Sequence, residues 1–347
     1  MRIVALEEHF ADAAVSTASR PRARELSPDF PAAYDPARGL SYSPAVEVLR
    51  DLGEGRLADM DEHGITMQVL SCTTTQQLPA DVAVDLVARV NDRAAAAVRA
   101  HPDRFAAFAA LPTAVPEAAA RELRRCVEEL GFVGTMIFGR TDDEFLDAPR
   151  FAPVLDAVAD LDVPLYLHPG APPRATTDSN YADLDPLVTA RLQTSAWGWH
   201  QETAVHFLHL VLNGVLDRHP ALQIVLGHWG EMVPFYLDRL DEALPRALTG
   251  LDRTVSQYVH QNVHITPSGM WNQAQLQYCV TTIGVERILF SVDYPFRGNE
   301  GATAFLDEAD LPAAATTAVA HGNADRLLGL TEARPSPNRR EGKGEHP

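Results

Sequence analysis

Eight short apolar segments alternate along the chain with segments of helical character, and this order limits the possible folds more than any other feature. Strands are predicted at residues 3–9, 65–71, 104–111, 133–139, 164–168, 223–228, 263–266 and 288–293. Helices are predicted around 46–62, 80–101, 116–130, 151–161, 200–218, 231–247, 271–283 and 313–329. Strict alternation is typical of parallel sheets, and eight repeats favour a closed (β/α)8 TIM barrel over an open sheet.

Two connections are too long to be simple turns. Residues 10–45 follow the first predicted strand and residues 169–199 follow the fifth, and both are rich in proline. Because barrel enzymes keep their chemistry at the carboxyl ends of their strands, we predict that these segments act as lids, with surface insertions as the alternative. The 347 residues suit one barrel domain at 1–332 and a polar, disordered tail at 333–347.

The composition disfavours several classes of partner. The chain has 29 Lys and Arg against 47 Asp and Glu, a net charge of −18, which argues against binding to nucleic acid or anionic membranes. Its three cysteines, Cys72, Cys126 and Cys279, are widely spaced in apolar surroundings and predict free thiols in a reducing compartment. No signal-peptide pattern and no run of 18 apolar residues occurs, so we predict a cytoplasmic protein.

Polar side chains of an unusual kind end four of the predicted strands. Glu7 and His9 end the first strand in "VALEEHF", and being two residues apart they share one face. His168 of "YLHPG", His228 of "LGHWGE" and Asp293 of "FSVDYPF" end the fifth, sixth and eighth strands. Because these strand ends meet at one rim of a barrel, the side chains are expected to converge. Carboxylates and imidazoles together suit a divalent metal such as zinc or manganese.

Each of these signals has a structural alternative. A single histidine after a strand is more often a hydrogen-bonded structural residue, and it is the combination at four strand ends that favours a site. Glu202, His206 and His209 share one face of a predicted helix, but this face belongs to the outer ring and is interpreted as packing. Trp199 and His200, at the end of a long connection, fit either a pocket wall or a subunit interface.

Six segments carry a resemblance to a known family. They are "VALEEHF", "RFAAFAALP", "GFVGTMIFG", "DVPLYLHP", "QETAVHFLHLVLNGVLDRHPALQIVLGHWGE" and "RILFSVDYPF". In collinear order over residues 3–330, they resemble the amidohydrolase-related decarboxylases of the γ-resorcylate and 2,3-dihydroxybenzoate type, relatives of aminocarboxymuconate semialdehyde decarboxylase. The long connections match this family less well, and they are the parts expected to select the substrate.

The resemblance implies a specific site. One divalent metal ion would be held by Glu7, His9, His168 and Asp293. His228 and Glu231 of the strand-six motif would be catalytic. The general amidohydrolase pattern begins with His-x-His, and Glu at position 7 is shared with the resorcylate subgroup. Zinc and manganese both fit, although an oxygen-rich ligand set leans towards manganese. The family also implies a homodimer or homotetramer.

The reaction implied is decarboxylation of a small aromatic acid with a hydroxyl group ortho to its carboxylate. The metal would chelate the carboxylate and phenol oxygens, and the ring carbon would be protonated before carbon dioxide leaves. Asp293 is predicted to carry that proton, while His228, oriented by Glu231, handles the phenol proton. The residues predicted to form flat walls around the ring are Phe10, Trp199 and Phe296.

Two other functions stay open at this point. The same scaffold can support a metal-dependent hydrolase of a lactone or amide, with Asp293 as the base. The second alternative is a catalytically silent barrel that serves as a binding protein. It leaves unexplained why a suitable residue is present at every ligand position. The Glu7 and His9 pattern favours decarboxylation. The loop arginines that could pair with an acidic substrate are not assigned individually: Arg20, Arg22, Arg24, Arg174 and Arg191.

Overall fold

A computed structural model describes residues 1–35 and 44–330. The strands β1 to β7 are Val4–Phe10, Met67–Cys72, Phe105–Ala107, Thr135–Phe138, Leu165–His168, Ile224–Leu226 and Val263–Ile265. The helices α1 to α19 are Ala13–Leu26, Phe30–Ala33, Val46–Arg50, Glu54–His63, Ala80–Ala100, Pro116–Glu128, Ala152–Asp160, Arg174–Asn180, Pro186–Arg191, Gly198–Leu212, Val215–Arg218, His228–Glu231, Leu237–Ala243, Arg246–Thr249, Val255–Asn262, Gln273–Ile283, Ala302–Asp307, Ala313–Thr317 and Asn323–Leu328. The predicted tail at 333–347 and part of the first long connection lie outside the described residues, and the predicted domain limits stay a prediction.

The strands form two parallel sheets in the order β1-β2-β3 and β4-β5-β6-β7. Isolated parallel bridges pair Ala109 with Thr135, Ile265 with Ile288, and Ala5 with Phe290. These bridges connect β3 to β4, β7 to the segment at 288–290, and that segment back to β1. The chain therefore has the predicted (β/α)8 arrangement, and its eighth predicted strand is reduced to single bridges.

The apolar core has two layers. Inside the ring of strands lies a cluster that includes Val4, Leu6, Val69, Tyr166 and Leu289. Between the strands and the surrounding helices lies a larger apolar cluster, to which α5 contributes buried residues at helical spacing. Because both faces of each strand are buried, the strands read as continuous apolar runs, as expected for a parallel sheet covered by helices.

Strand β1 contains a bulge that decides which side chains face the barrel axis. Ala5 pairs with Gln68, but the next paired residue is Glu8, opposite Leu70, so β1 has one extra residue here. Leu6 belongs to the inner cluster, and Glu7 also points inward, because it accepts a hydrogen bond from Tyr166 of that cluster. The bulge shifts the alternation by one residue, as bulges do.

The two long connections contain helices and pack against each other. The first includes α1 and α2, and the second includes α8, α9 and a π-helical segment at Leu192–Ala196. Arg191 donates two hydrogen bonds to the carbonyl oxygen of Ala33, at 2.7 and 3.0 Å. The Tyr34 hydroxyl lies 2.9 Å from the Thr194 hydroxyl. The described parts of the segments predicted as lids are therefore folded, and they meet over the carboxyl-terminal rim, where both line the cavity described below.

Two further expectations can be compared with the structure. The three cysteines are free and buried, as predicted. Across residues 1–35 and 44–330, none of the helices combines the length and the apolar character that crossing a lipid bilayer requires.

Candidate metal centre and active site

The four predicted ligands meet at the carboxyl-terminal rim of the barrel. They are Glu7, His9, His168 and Asp293, and one ligand atom from each lies within 4.8 Å of the others. His168 Nε2 is 3.2 Å from Glu7 Oε1, and His9 Nε2 is 3.0 Å from Asp293 Oδ1. Side chains from β1, β5 and the segment after 288–290 are thus brought together from distant parts of the sequence.

Hydrogen bonds to the outer ring nitrogens orient the two imidazoles. His168 Nδ1 lies 2.8 Å from the carbonyl oxygen of Pro169, which can only accept, so Nδ1 carries the proton and Nε2 has a free lone pair. His9 Nδ1 lies 2.8 Å from Ser71 Oγ. Among the described residues, both Nε2 atoms and Glu7 Oε1 are buried without a hydrogen-bond partner. Buried polar atoms that face one another without a hydrogen bond are costly unless they share a cation, so this set fits a divalent metal.

The second oxygen of Glu7 is held by hydroxyl groups. Tyr166 donates to Oε2 at 2.6 Å, and Ser268 also donates to it. Burial alone would raise the pKa of Glu7, but the neighbouring imidazoles of His228, His168 and His9 lower it by more, so the pKa lies well below its usual value. Glu7 is therefore placed as an ionised ligand, with one oxygen anchored and the other directed at the imidazoles.

Glu8 faces away from this cluster and fixes the segment that carries Asp293. Its carboxylate accepts hydrogen bonds from the backbone N–H groups of Val292, at 2.9 Å, and Tyr294, at 3.2 Å. Burial raises the pKa of Glu8 to about 8 despite these bonds. Burial, together with the negative charges of Glu7 and Glu8, raises the pKa of Asp293 well above its usual value. A bound cation would offset this accumulation of negative charge.

A left-handed turn places His228 and Glu231 beside the candidate metal site. Residues 228–232 all have positive φ, between 47° and 80°. Left-handed backbone costs about 1–2 kcal/mol for each residue other than glycine, so the surrounding structure must hold this turn. The buried Trp229 contributes by donating its indole N–H to the carbonyl oxygen of Met270 at 2.7 Å. The turn brings His228 Nδ1 within 2.8 Å of Glu231 Oε1.

A third residue joins this pair: His200 on α10, for which the sequence allowed two interpretations. Its Nδ1 lies 2.8 Å from Glu231 Oε2, so the fully buried Glu231 carboxylate bridges two imidazoles. Burial would lower the pKa of His200, but the charge and hydrogen bond of Glu231 raise it overall. Unlike the four ligands, these three groups satisfy one another and need no cation. No fixed spacing relates residue 200 to residue 231, so the sequence offered no signal for the contact.

A cavity of about 630 Å³ opens beside these two clusters. It is lined by His168, His228 and Asp293, and by the predicted wall residues Trp199 and Phe296. The long connections contribute further apolar lining: Leu26, Phe30, Pro31, Tyr34 and Ala171. The cavity is large enough for a substituted aromatic ring in contact with the candidate metal site.

Phe10 does not line this cavity, and its prediction as a wall residue was wrong. Its side chain is 1% exposed and lies in the outer core cluster, with the Arg93 guanidinium 5.4 Å from its ring centre. Glu7 and His9 face the axis after the bulge, so Phe10, one residue beyond His9, faces the helices instead. Of the unassigned loop arginines, Arg20 and Arg24 line the cavity.

The fold and the site together define a class: a barrel protein with a candidate metal centre and a neighbouring histidine–glutamate pair at the carboxyl-terminal rim. The chain belongs to the amidohydrolase family, whose model matches residues 47–330. A γ-resorcylate decarboxylase from Rhizobium radiobacter is 36% identical over 341 residues, covering 94% of this chain and 98% of the relative.

Solved structures give the same result. The 5-carboxyvanillate decarboxylase from Sphingomonas paucimobilis has a TM-score of 0.84 at 34% identity, with 95% of this chain and 99% of the other covered. A dihydroxybenzoic acid decarboxylase from Polaromonas sp., solved with manganese and the inhibitor 2-nitroresorcinol, has a TM-score of 0.81 at 33% identity, with 96% and 98% covered. These findings confirm the resemblance, the decarboxylase class and the expectation of a divalent metal cofactor.

Proposed function

We propose that this protein is a metal-dependent, non-oxidative decarboxylase of an aromatic acid that carries a hydroxyl group ortho to its carboxylate. The observation that carries the proposal is the set of buried ligand atoms without hydrogen-bond partners in the described chain, directly beside a cavity lined by His228 and Asp293. The similarity to resorcylate and carboxyvanillate decarboxylases supports the choice of substrate class. A homodimer or homotetramer and a cytoplasmic location remain part of the proposal.

The residues that would hold the metal are Glu7, His9, His168 and Asp293. When bound, the ion would polarise the carboxylate and phenol oxygens of the substrate and fix the ring in the cavity. Manganese is favoured by the two carboxylates and by its presence in the Polaromonas structure.

The protein's own groups would move two protons. His228 Nδ1 is engaged by Glu231, so Nε2 is the ring nitrogen left to accept the proton of the phenol. Asp293 would be ionised beside a dication, so it would first take up a proton on substrate binding or through His228. Its carboxyl group would then deliver this proton to the ring carbon that bears the carboxylate, forming a C–H bond. The bond from that carbon to the carboxylate then breaks, its electron pair restores the aromatic ring, and carbon dioxide leaves. Asp293 remains as a carboxylate that must be protonated again.

Trp199 and Phe296 would hold the ring between flat surfaces. Both line the cavity, and the Phe296 ring centre lies 5.6 Å from that of His9. An aromatic ring stacked in this position would exclude water from the side of the ring that faces Asp293.

The direct test is to incubate the manganese-loaded protein with a panel of ortho-hydroxybenzoates and to record product masses. Loss of carbon dioxide is the expected result. Gain of water from a lactone or amide would favour the hydrolase alternative. If the purified protein bound no metal and Asp293→Asn left its cellular role unchanged, the catalytically silent barrel would be the better description.

A further inference from the structure

We propose that His200 is a positioning residue that fixes Glu231 and, through it, determines which ring nitrogen of His228 carries the proton. The inference deepens the proposed function, because it concerns the acid–base pair of the same site. Its structural basis, however, lies in contacts that do not involve the four candidate metal ligands.

The Glu231 carboxylate has a distinct partner for each oxygen. Oε1 lies 2.8 Å from His228 Nδ1, and Oε2 lies 2.8 Å from His200 Nδ1. The Glu231 side chain is completely buried, and within the described residues these two imidazoles are its hydrogen-bond partners. Since a carboxylate only accepts, both Nδ1 atoms are donors, which leaves His228 Nε2 unprotonated when His228 is neutral.

The far side of the His200 ring is compatible with this role in either protonation state. Its Nε2 lies 2.9 Å from the indole nitrogen of Trp199 and 3.0 Å from the carbonyl oxygen of Ser195. A neutral ring accepts from Trp199 at Nε2, whereas a protonated ring donates to Ser195. In both cases Nδ1–H is available to Glu231, so the orientation of the carboxylate does not depend on the charge of His200.

Removing the His200 ring would leave Glu231 Oε2 buried without a donor. A buried carboxylate in this condition is expected to rotate or to take up a proton. A protonated carboxyl group can donate to His228 Nδ1, and the proton of neutral His228 would then reside on Nε2. The nitrogen that should accept the phenol proton would become a donor, and the reaction would slow although the metal site is intact.

The test compares His200→Ala and His200→Asn with His209→Asn, a control on the outward face of the same helix, where His209 contacts Asp147. We expect His200→Ala to lower kcat about tenfold or more, since a well-placed acid–base group contributes about 10²–10⁴. KM and bound metal should change little. His200→Asn should restore much of the rate, because the amide nitrogen of Asn occupies the place of Nδ1, and His209→Asn should behave like the unaltered protein.

An independent readout is the ¹⁵N spectrum of ring-labelled histidine, recorded on the full-length protein without substrate. His200→Ala should move the neutral His228 proton from Nδ1 to Nε2, and His200→Asn should not. Unchanged kcat and unchanged His228 signals in His200→Ala would overturn the proposal, as would His200→Asn being as slow as His200→Ala. If the unaltered protein decarboxylated no aromatic acid, the proposed function would fail, while the spectra would still decide the role of His200.

Discussion

Three side chains of the candidate metal centre, those of Glu7, His9 and His168, have one atom anchored by the protein and another that is buried without a hydrogen-bond partner among the described residues. His168 shows this most clearly, with Nδ1 on the Pro169 carbonyl group and Nε2 facing Glu7. Anchoring of this kind fixes the ring orientation before the metal arrives, and such supporting contacts typically change metal affinity or activity about 10–100-fold.

Truncation of a ligand should remove the metal without unfolding the barrel. In His168→Ala and Asp293→Ala, the ion loses one of its four protein ligands and its affinity falls, whereas the apolar core around the site is unchanged. Elemental analysis should show metal loss in both variants, with decarboxylation abolished and the far-ultraviolet circular dichroism preserved. Metal retained at full occupancy in either variant would remove that residue from the ligand set.

Substitution of His228 should affect turnover without affecting metal binding. His228 is not one of the four residues whose ligand atoms lie within 4.8 Å of one another, so His228→Ala is expected to retain most of the metal and to lose turnover about 10²-fold or more. Elemental analysis and kcat measured on the same preparation check this. Loss of the metal together with the rate would instead place His228 among the ligands.

Burial of His206 on α10 should make the stability of the protein depend on pH, independently of the candidate metal centre. Its Nε2 accepts the backbone N–H of Leu146 at 2.9 Å, and burial, with the nearby charges of Arg140 and His209, lowers its pKa to about 3. Since the folded pKa lies below the unfolded one, its contribution is present above about pH 6.5 and is lost as the pH falls towards 3, by about 1.4 kcal/mol per pH unit.

His206→Gln keeps an acceptor for Leu146 but cannot be protonated. Urea unfolding between about pH 6 and pH 4 should therefore show a shallower loss of the free energy of unfolding than in the unaltered protein. The exposed His260 on α15 provides the matched control, His260→Gln, because His260 is not among the charges that act on His206. Equal slopes for His206→Gln and the unaltered protein would show that His206 is already protonated in the folded state at these pH values.

The residue types at the strand ends allowed the convergence to be predicted, because chain order in a barrel determines which ends meet. The contact of His200 with Glu231 was not predictable in this way, since it depends on how α10 leans over the rim. The prediction for Phe10 was wrong because of the strand geometry: Phe10 is two residues from Glu8 and lies on the same face of β1, which points towards the helices.

Among the elements, β1 and the left-handed turn at 228–232 contribute most to the site. Simple alternation from Val4 and Leu6, which lie in the inner cluster, would point Glu8 at the axis. The bulge reverses this and directs Glu7 and His9 inward. The sequence indicated the shared face of Glu7 and His9 but not the bulge. Similarly, a helix was predicted over 231–247, whereas the regular helix begins only at Leu237.

The left-handed turn can be tested through its glycine. Gly230 has φ of 80°, and a Cβ atom there would lie 2.9 Å from Pro234 Cγ and 3.0 Å from Ile265 Cγ2. Gly250 has φ of 72°, and a Cβ atom added there would meet no neighbouring side chain or backbone within 4 Å, so it is a matched control. Gly250→Ala should lower the free energy of unfolding by about 1 kcal/mol through backbone conformation alone. Gly230→Ala should lower it by about 1–3 kcal/mol more, because the added Cβ atom is crowded.

Chemical denaturation of the two variants measures this difference directly. Gly230→Ala should also lower turnover, because displacement of the turn moves His228 and Glu231. Equal stability of the two variants would mean that the turn relaxes without cost, and the account of a tightly held turn would then be wrong.

At the scale of the whole molecule, an ion in the candidate metal centre would connect the first strand of the barrel to its last segment. Glu7 and His9 come from the first strand and Asp293 follows the last barrel segment, so one ion would contact both. Removal of the metal with a chelator should lower the melting temperature, since ligand at about 100 times its Kd stabilises the folded state by about 2.7 kcal/mol. Addition of manganese should restore the melting temperature, and neither treatment should change the melting temperature of His168→Ala. An unchanged melting temperature of the unaltered protein would argue against a tightly bound ion.

The overall architecture was predictable because it rests on patterns that repeat eight times, so an error in one segment does not alter the conclusion. The conformation of the two long connections was not predictable, because neither has a repeating pattern, and their helices are held by contacts such as that of Arg191 with Ala33.

The contact between the two connections has a consequence for how such a protein changes over time. Ala33 and Arg191 are 158 positions apart in the sequence, yet their contact joins the two connections that line the cavity. A mutation in one connection that enlarges the cavity also removes contacts that hold the other connection in place. New substrate preferences should therefore arise through coordinated pairs of changes. Swapping one connection between relatives should yield poorly active hybrids, and swapping both together should carry the preference across.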